Sequence, residues 1–213
     1  MKKFADYSIR DYVAVASTGA PTPGGGSVSA VVGALGAALG QMVYHLSIHK
    51  KSYQAHDEAT KAAVECDFQA LEALQEDFIR LIDEDVAAFN TFMEALKLPK
   101  ATDEERKIRQ DAMEQASIVA TKAPLKTAKK AFETLERIEE LARCGHTNCI
   151  SDAGVSAYCA FAALQSAVMN VRINLGGISD ESFTSETEAL CVRLLDEAEV
   201  KTNKIVKVVY DRL

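Results

Sequence analysis

The sequence predicts an all-α fold: one helical bundle over residues 1–213, with two small-residue-rich helices at its centre. Three observations lead there. Apolar residues recur at three- and four-residue spacing along most of the chain, and no segment sustains period-two alternation. Two long stretches carry no Asp, Glu, Lys or Arg, one between Asp11 and Lys50 and one from Ala153 to Val171. No repeat or low-complexity linker divides the 213 residues, whose 48% hydrophobic content is enough for a substantial core. Helices without charge on any face belong in the middle, with charged amphipathic helices around them.

Ser8-x-x-Asp11 opens a first helix that carries Ile9, Tyr12, Val13 and Ala16 and ends near Ser17-Thr18-Gly19. Pro21-Thr22-Pro23-Gly24-Gly25-Gly26-Ser27 comes next and organises the rest. The prolines hold the approach extended, the glycines permit positive φ and close approach, and Ser27 caps the helix that follows, about Ser27 to Ile48. In that helix Ser29, Gly33, Gly36 or Ala37, and Gly40 occupy neighbouring rows, which lets another backbone come close, from this chain or a second subunit. Each glycine costs about 1 kcal/mol against alanine, so close packing must compensate.

A long helical pattern runs from about His56 to Leu96, with a break expected near Asp83-Glu84-Asp85. Leu98-Pro99 ends it, and Thr102 with its acidic first turn starts another. Pro124 predicts a break or kink near Thr121 to Pro124, before a helix reaching about Arg143. Ser151 begins a sixth, alanine-rich helix that Gly176-Gly177 stops, and a last amphipathic helix covers about Ser185 to Tyr210.

The net charge of −7 argues against nucleic acid or an anionic membrane surface as partner and leaves room for an anionic small molecule. Five scattered cysteines read as reduced thiols. Met1-Lys2-Lys3 looks like a signal-peptide start, but Asp6, Arg10 and Asp11 interrupt any apolar core, so a cytoplasmic location is expected. The charge-free stretch before Lys50 is long enough to cross a membrane. Its Gly, Ala and Ser content, with Gln41, Tyr44 and His45 near its end, favours a helix buried in a bundle instead.

A glycine turn feeding a helix N-terminus suits an anion or a polarised oxygen, because donors and dipole point the same way. No Gly-Lys-Ser/Thr follows it, so it is not a phosphate loop, and a plain tight turn between packed helices is the alternative. Asp152, opening the sixth helix, either complements the dipole or is an acid/base in a partly dry site. Asn170 and Asn174 share a face at i,i+4, suited to amide-like or heterocyclic edges, or to the helix's own last carbonyls. Lys50 and Lys51 suit a substrate carboxylate or the helix C-terminus, and Asp85 adjoins an apolar run that can turn it inward. No metal site is expected: His45 and His49 lack the intervening glutamate of a His-Glu-x-x-His helix, and Cys144, His146 and Cys149 lack a fourth ligand.

Several segments together resemble the formiminotransferase-cyclodeaminase C-terminal family, which includes stand-alone cyclodeaminases and methenyltetrahydrofolate cyclohydrolases. They are Pro21 to Val28 running into Gly33 to Leu39, then Asp85 to Phe89, Leu96 to Pro99, and Ala123-Pro124-Leu125. Asn148 to Val155 and Asn170 to Leu175 complete the series, in order along nearly the whole chain. The chain departs from the family pattern at His49, His146 and Ser156, departures that bear on substrate choice. The resemblance implies an all-α homodimer or higher oligomer that acts on a tetrahydrofolate substrate, with no other cofactor and no metal. It implies conversion of 5-formiminotetrahydrofolate to 5,10-methenyltetrahydrofolate with release of ammonia, or, alternatively, hydrolysis of methenyltetrahydrofolate to 10-formyltetrahydrofolate. A non-catalytic folate-binding protein is a third expectation. On that reading Asp152, or Asp85 if it points inward, moves the proton. Gly24, Gly25, Gly26 and Ser27 lie against the pterin, Asn148, Asn170 and Asn174 read polar edges, and Lys50 meets the glutamate tail.

Overall fold

The computed structural model describes residues 2–213; Met1, the first residue of the signal-like opening, lies outside them. Among the described residues the chain is all α, with seven helices and no strand. They are α1 (Ile9–Ala16), α2 (Gly25–Ser47), the short α3 (Lys51–Gln54), α4 (Glu58–Leu96), α5 (Asp103–Cys144), α6 (Ile150–Leu175) and α7 (Glu181–Tyr210). α2 and α6 are central: α2 packs on α4 and α6, α5 packs on α4 and α6, and α7 closes over α5 and α6.

Two rows of seven-residue spacing lock α2 to α4. Gly26, Gly33 and Gly40 face Asp85, Phe78 and Leu71, so the two helices run antiparallel. A Cβ on Gly33 would sit 2.5 Å from the Phe78 ring, and one on Gly40 would sit 2.8 Å from Leu71. The glycine rows therefore receive α4 side chains of the same chain, where the sequence left a second subunit open. Gly36 does meet a backbone, that of α6: its Cβ would lie 3.2 Å from the Ala160 nitrogen. Ser156 donates to the Gly36 carbonyl at 2.5 Å, so this departure from the family pattern is a bond within the α2–α6 contact.

Both central helices are long and apolar enough to cross a membrane, and about half of each such stretch is buried in the bundle. Burial accounts for the apolar character of one face of each helix, while Leu35 on α2 and Met169 on α6 are among the apolar side chains left exposed on the other.

The helices correct the sequence at four points. α2 begins at Gly25 with Gly24 as its N-cap, so Ser27 is not the cap; it is fully buried one turn in, its hydroxyl 2.9 Å from the Tyr12 hydroxyl. No glycine among the described residues has positive φ, so the glycine turn supplies space and not an unusual backbone. α4 continues through Asp83-Glu84-Asp85 because the three carboxylates part company. Asp83 accepts the Phe4 N–H at 2.8 Å, Glu84 pairs with Lys126 at 3.0 Å, and Asp85 turns towards Gly26. α7 starts earlier than expected, with Asp180 capping the Phe183 N–H.

The fourth correction is Pro124, which sits buried inside an unbroken 42-residue α5. A proline has no N–H for the carbonyl four residues back, here Ala120. Asn174 of α6 supplies the missing donor, its Nδ2 lying 2.9 Å from the Ala120 oxygen. Removing that amide strands a carbonyl, at a cost of about 1–3 kcal/mol. We expect Asn174→Ala to lower the denaturant midpoint by that amount, and to cost much less when Pro124→Ala restores the backbone N–H. A double-mutant cycle in urea measures the coupling.

Candidate active site

Four helices converge on a cavity of about 510 Å³, a size ordinary for a small-molecule site. The α2 N-terminus contributes Gly24, Gly25 and Gly26, preceded by Pro21 and Thr22. α4 contributes Asp85, Phe89 and Phe92, spaced so that all three share one face. α5 adds Met113, Ser117 and Ala120, and the C-terminal end of α6 adds Asn170, Ile173 and Asn174. Two aromatic rings, a methionine and an isoleucine make apolar walls; the few polar groups sit at the glycine end and along α6.

Among the described residues Asp85 is the one ionisable side chain lining this cavity. Its position follows from the packing of α2 on α4. As the third member of the row Leu71, Phe78, Asp85, it points into α2 as its predecessors do, and only a glycine at 26 leaves it room. A Cβ on Gly26 would overlap the carboxylate, 2.7 Å from Oδ2. Burial pushes the Asp85 carboxyl above the usual carboxylate range, and the Ser27 backbone N–H works against that shift without cancelling it. The α2 N-terminus beneath it favours the anion. Such a group keeps its proton to higher pH than an exposed carboxylate, which suits it to give and take one during a reaction.

Asn170 donates its amide to the Ser166 carbonyl at 2.8 Å, and Gly25 lies against the amide: a Cβ there would sit 3.2 Å from Oδ1. Its oxygen is the acceptor left for a ligand edge. Asn174 also lines the cavity, but its amide is committed to Ala120, so it holds the wall together more than it reads a substrate.

The structure thus brings together Gly24, Gly25, Gly26, Asp85, Asn170 and Asn174. It does not bring the remaining expected site residues to them. Ser27 is spent on Tyr12 and offers the site its backbone N–H only. Asp152 opens α6, eighteen residues from Asn170 and so roughly 27 Å along the helix. Asn148, in the turn Thr147–Cys149, and Lys50, beyond the C-terminus of α2, lie at that same far end. There the Cys149 thiol sits 3.7 Å from the Ser47 hydroxyl, and the His146 N–H donates to the same hydroxyl at 2.8 Å. His49 and His146 belong to this end too. Sequence order hid the split, because antiparallel helices carry residues that are close in the chain's motifs to opposite ends of the bundle.

Phe89, Phe92, Met113 and Ser117 were missed as site residues. Phe89 and Phe92 follow Asp85 at i+4 and i+7, a spacing that marks them once Asp85 is known to face inward.

Known proteins resemble this chain over most of its length. Residues 8–193 match the family model described as formiminotransferase-cyclodeaminase. A methenyltetrahydrofolate cyclohydrolase from Methylorubrum extorquens is 36% identical over 97% of both chains. A chicken formimidoyltransferase-cyclodeaminase is 40% identical over 83% of this chain, which spans 32% of that longer protein. The crystal structure of a formiminotetrahydrofolate cyclodeaminase from Thermotoga maritima superimposes with a TM-score of 0.77 at 28% identity, covering 98% of this chain and 96% of the other. An all-α bundle of this topology, matched over most of its length in sequence and in structure, belongs to the formiminotransferase-cyclodeaminase family.

Proposed function

We propose that the chain is a folate one-carbon enzyme that converts 5-formiminotetrahydrofolate to 5,10-methenyltetrahydrofolate and ammonia. The observation that carries this is Asp85, a lone carboxyl held above its usual range in a cavity of the right size. In the reaction N10 attacks the formimino carbon and closes a five-membered ring, and the tetrahedral carbon then expels its amine. The proton lost by N10 has to reach that amine. Asp85 takes it as base and returns it as acid, and the cavity holds N10 against the carbon. The glycine floor lets a flat heterocycle lie against backbone between Phe89 and Phe92, and Asn170 accepts from its edge. No further cofactor or metal enters this sequence of steps.

The second reading, methenyltetrahydrofolate cyclohydrolase, is supported by the Methylorubrum relative, which matches over nearly the full length of both chains. There Asp85 would activate the water that adds to the methenyl carbon. One spectrophotometric experiment separates the two. Growth of the methenyl near-ultraviolet band from 5-formiminotetrahydrofolate, with ammonia released, is expected. Loss of that band from methenyltetrahydrofolate, without the first activity, would instead establish the cyclohydrolase. Neither change in folded protein would leave a folate-binding protein.

A homodimer is part of the same reading. Val28, Leu35, Met42 and Leu46 form an exposed apolar stripe on α2, and Val155, Tyr158, Met169 and Ile173 form one on α6, where Ile173 also edges the cavity. A cytoplasmic location, with neither membrane nor nucleic acid as partner, fits the acidic net charge and the small-molecule site.

A further inference from the structure

Asp85 belongs to a circuit of contacts that starts and ends on α4. Asp83, two residues before it, accepts the Phe4 N–H at 2.8 Å. The Phe4 ring meets the Tyr12 ring edge-on, with centroids 6.2 Å apart. The Tyr12 hydroxyl lies 2.9 Å from the Ser27 hydroxyl, and the Ser27 backbone N–H is the donor that the Asp85 carboxyl accepts. The N-terminal segment is thus fastened on both sides of Asp85.

Core packing does not explain this fastening. No residue of α1 is buried, and Ile9 and Val13 are 83% and 59% exposed. Among the described residues Tyr12 is the one side chain of α1 that hydrogen-bonds to another element. Burial keeps its hydroxyl above the usual phenol range, so it stays neutral and able to donate. The first turn of α2, in contrast, needs an anchor. Its N-cap is Gly24, which has no side chain to cap with, and Gly25 and Gly26 are poor helix formers at an end whose N–H groups are unpaired. Ser27 is the first residue of α2 with a side chain. It is fully buried, and among the described residues its hydroxyl has no partner but Tyr12.

We propose that Tyr12 is a positioning residue for Asp85: by holding the Ser27 hydroxyl it fixes the first turn of α2, and with it the N–H that sets the carboxyl's orientation. The proposal rests on the folate reading above, with Asp85 as the group that moves the proton. Tyr12 touches no substrate. It does from α1 what a capping side chain would do from position 24, and it leaves that position free to be the glycine that lines the cavity. Proton transfer is sensitive to such placement, because the carboxyl has to meet first N10 and then the departing amine within hydrogen-bond reach.

The test compares kcat, KM and melting temperature for wild type, Tyr12→Phe, Ser27→Ala and the double variant, with 5-formiminotetrahydrofolate and with methenyltetrahydrofolate. Tyr12→Phe keeps the ring against Phe4 and removes only the hydroxyl. It should lower kcat by about five- to fiftyfold and leave KM within about twofold. It should also lower the melting temperature, because it strands the buried Ser27 hydroxyl. The double variant strands nothing, so it should regain the melting temperature without regaining kcat. Tyr12→Phe should change the residual rate of Asp85→Asn by less than about twofold, since no proton carrier is left to position. Wild-type kcat in Tyr12→Phe, or a loss confined to KM, would overturn the positioning role and leave the folate reading standing. Recovery of kcat together with melting temperature in the double variant, or an equal loss with and without Asp85, would overturn it as well, by making the bond structural only. No turnover of either folate by wild type would overturn both.

Discussion

Asp85→Asn is expected to lower kcat by about 10²- to 10⁴-fold, the usual worth of a positioned acid/base, while the bundle stays folded. Asparagine keeps the shape and can still accept the Ser27 N–H, but it cannot carry a proton between N10 and the departing amine. Stability should move the other way. Burial raises the folded-state pKa of Asp85, so its stabilising contribution is complete below the ordinary carboxylate pKa and is lost as pH rises through the raised value. At neutral pH the charged form is thus a burden on the folded state, and the asparagine variant should melt at or above the wild-type temperature. The gap should close as pH falls to the ordinary carboxylate range. In the wild type the acid limb of kcat/KM should lie above that range, and the variant should lack it. Near-wild-type turnover by Asp85→Asn would remove Asp85 from the chemistry and return attention to Asp152.

Gly26→Ala should be the most damaging glycine substitution at the turn. The new methyl would overlap the Asp85 carboxylate, and both positions are fixed by the α2–α4 packing. Overpacking of this kind costs about 1–3 kcal/mol, on the order of 2–10 °C in melting temperature for a chain of this length. Asp85 would also be driven off its seat, so turnover should fall with stability. Gly24→Ala is the control. Its Cβ would meet only the Pro21 carbonyl, at an ordinary 3.5 Å, and the change should cost under about 1 kcal/mol by calorimetry.

The fold was largely written in the periodicity, since two charge-free helices among amphipathic ones admit few arrangements other than a bundle. The candidate site was half legible. Gly26, Gly33 and Gly40 on one helix, with Leu71, Phe78 and Asp85 on another, both repeat at seven residues, and matching the rows places Asp85 over the glycine turn. Reading each carboxylate by its neighbours alone drew attention to Asp152, which the antiparallel course of α6 carries away. Pro124 misled for a related reason. Its cost is local in sequence, but the donor that offsets it, Asn174, is fifty residues away and visible only once α5 and α6 are side by side.

The glycines of α2 have one more consequence. Five of its 23 residues are glycine, each lowering helix propensity by roughly 1 kcal/mol. A segment so composed has little tendency to be helical alone, and it becomes helical when α4 and α6 clasp it. The floor of the cavity therefore depends on its neighbours for its helical order. Its geometry is lent to it by Phe78, Leu71 and Ala160, residues that touch no substrate. Variation at those distant positions can loosen the seat of Asp85 without altering a single group in the cavity.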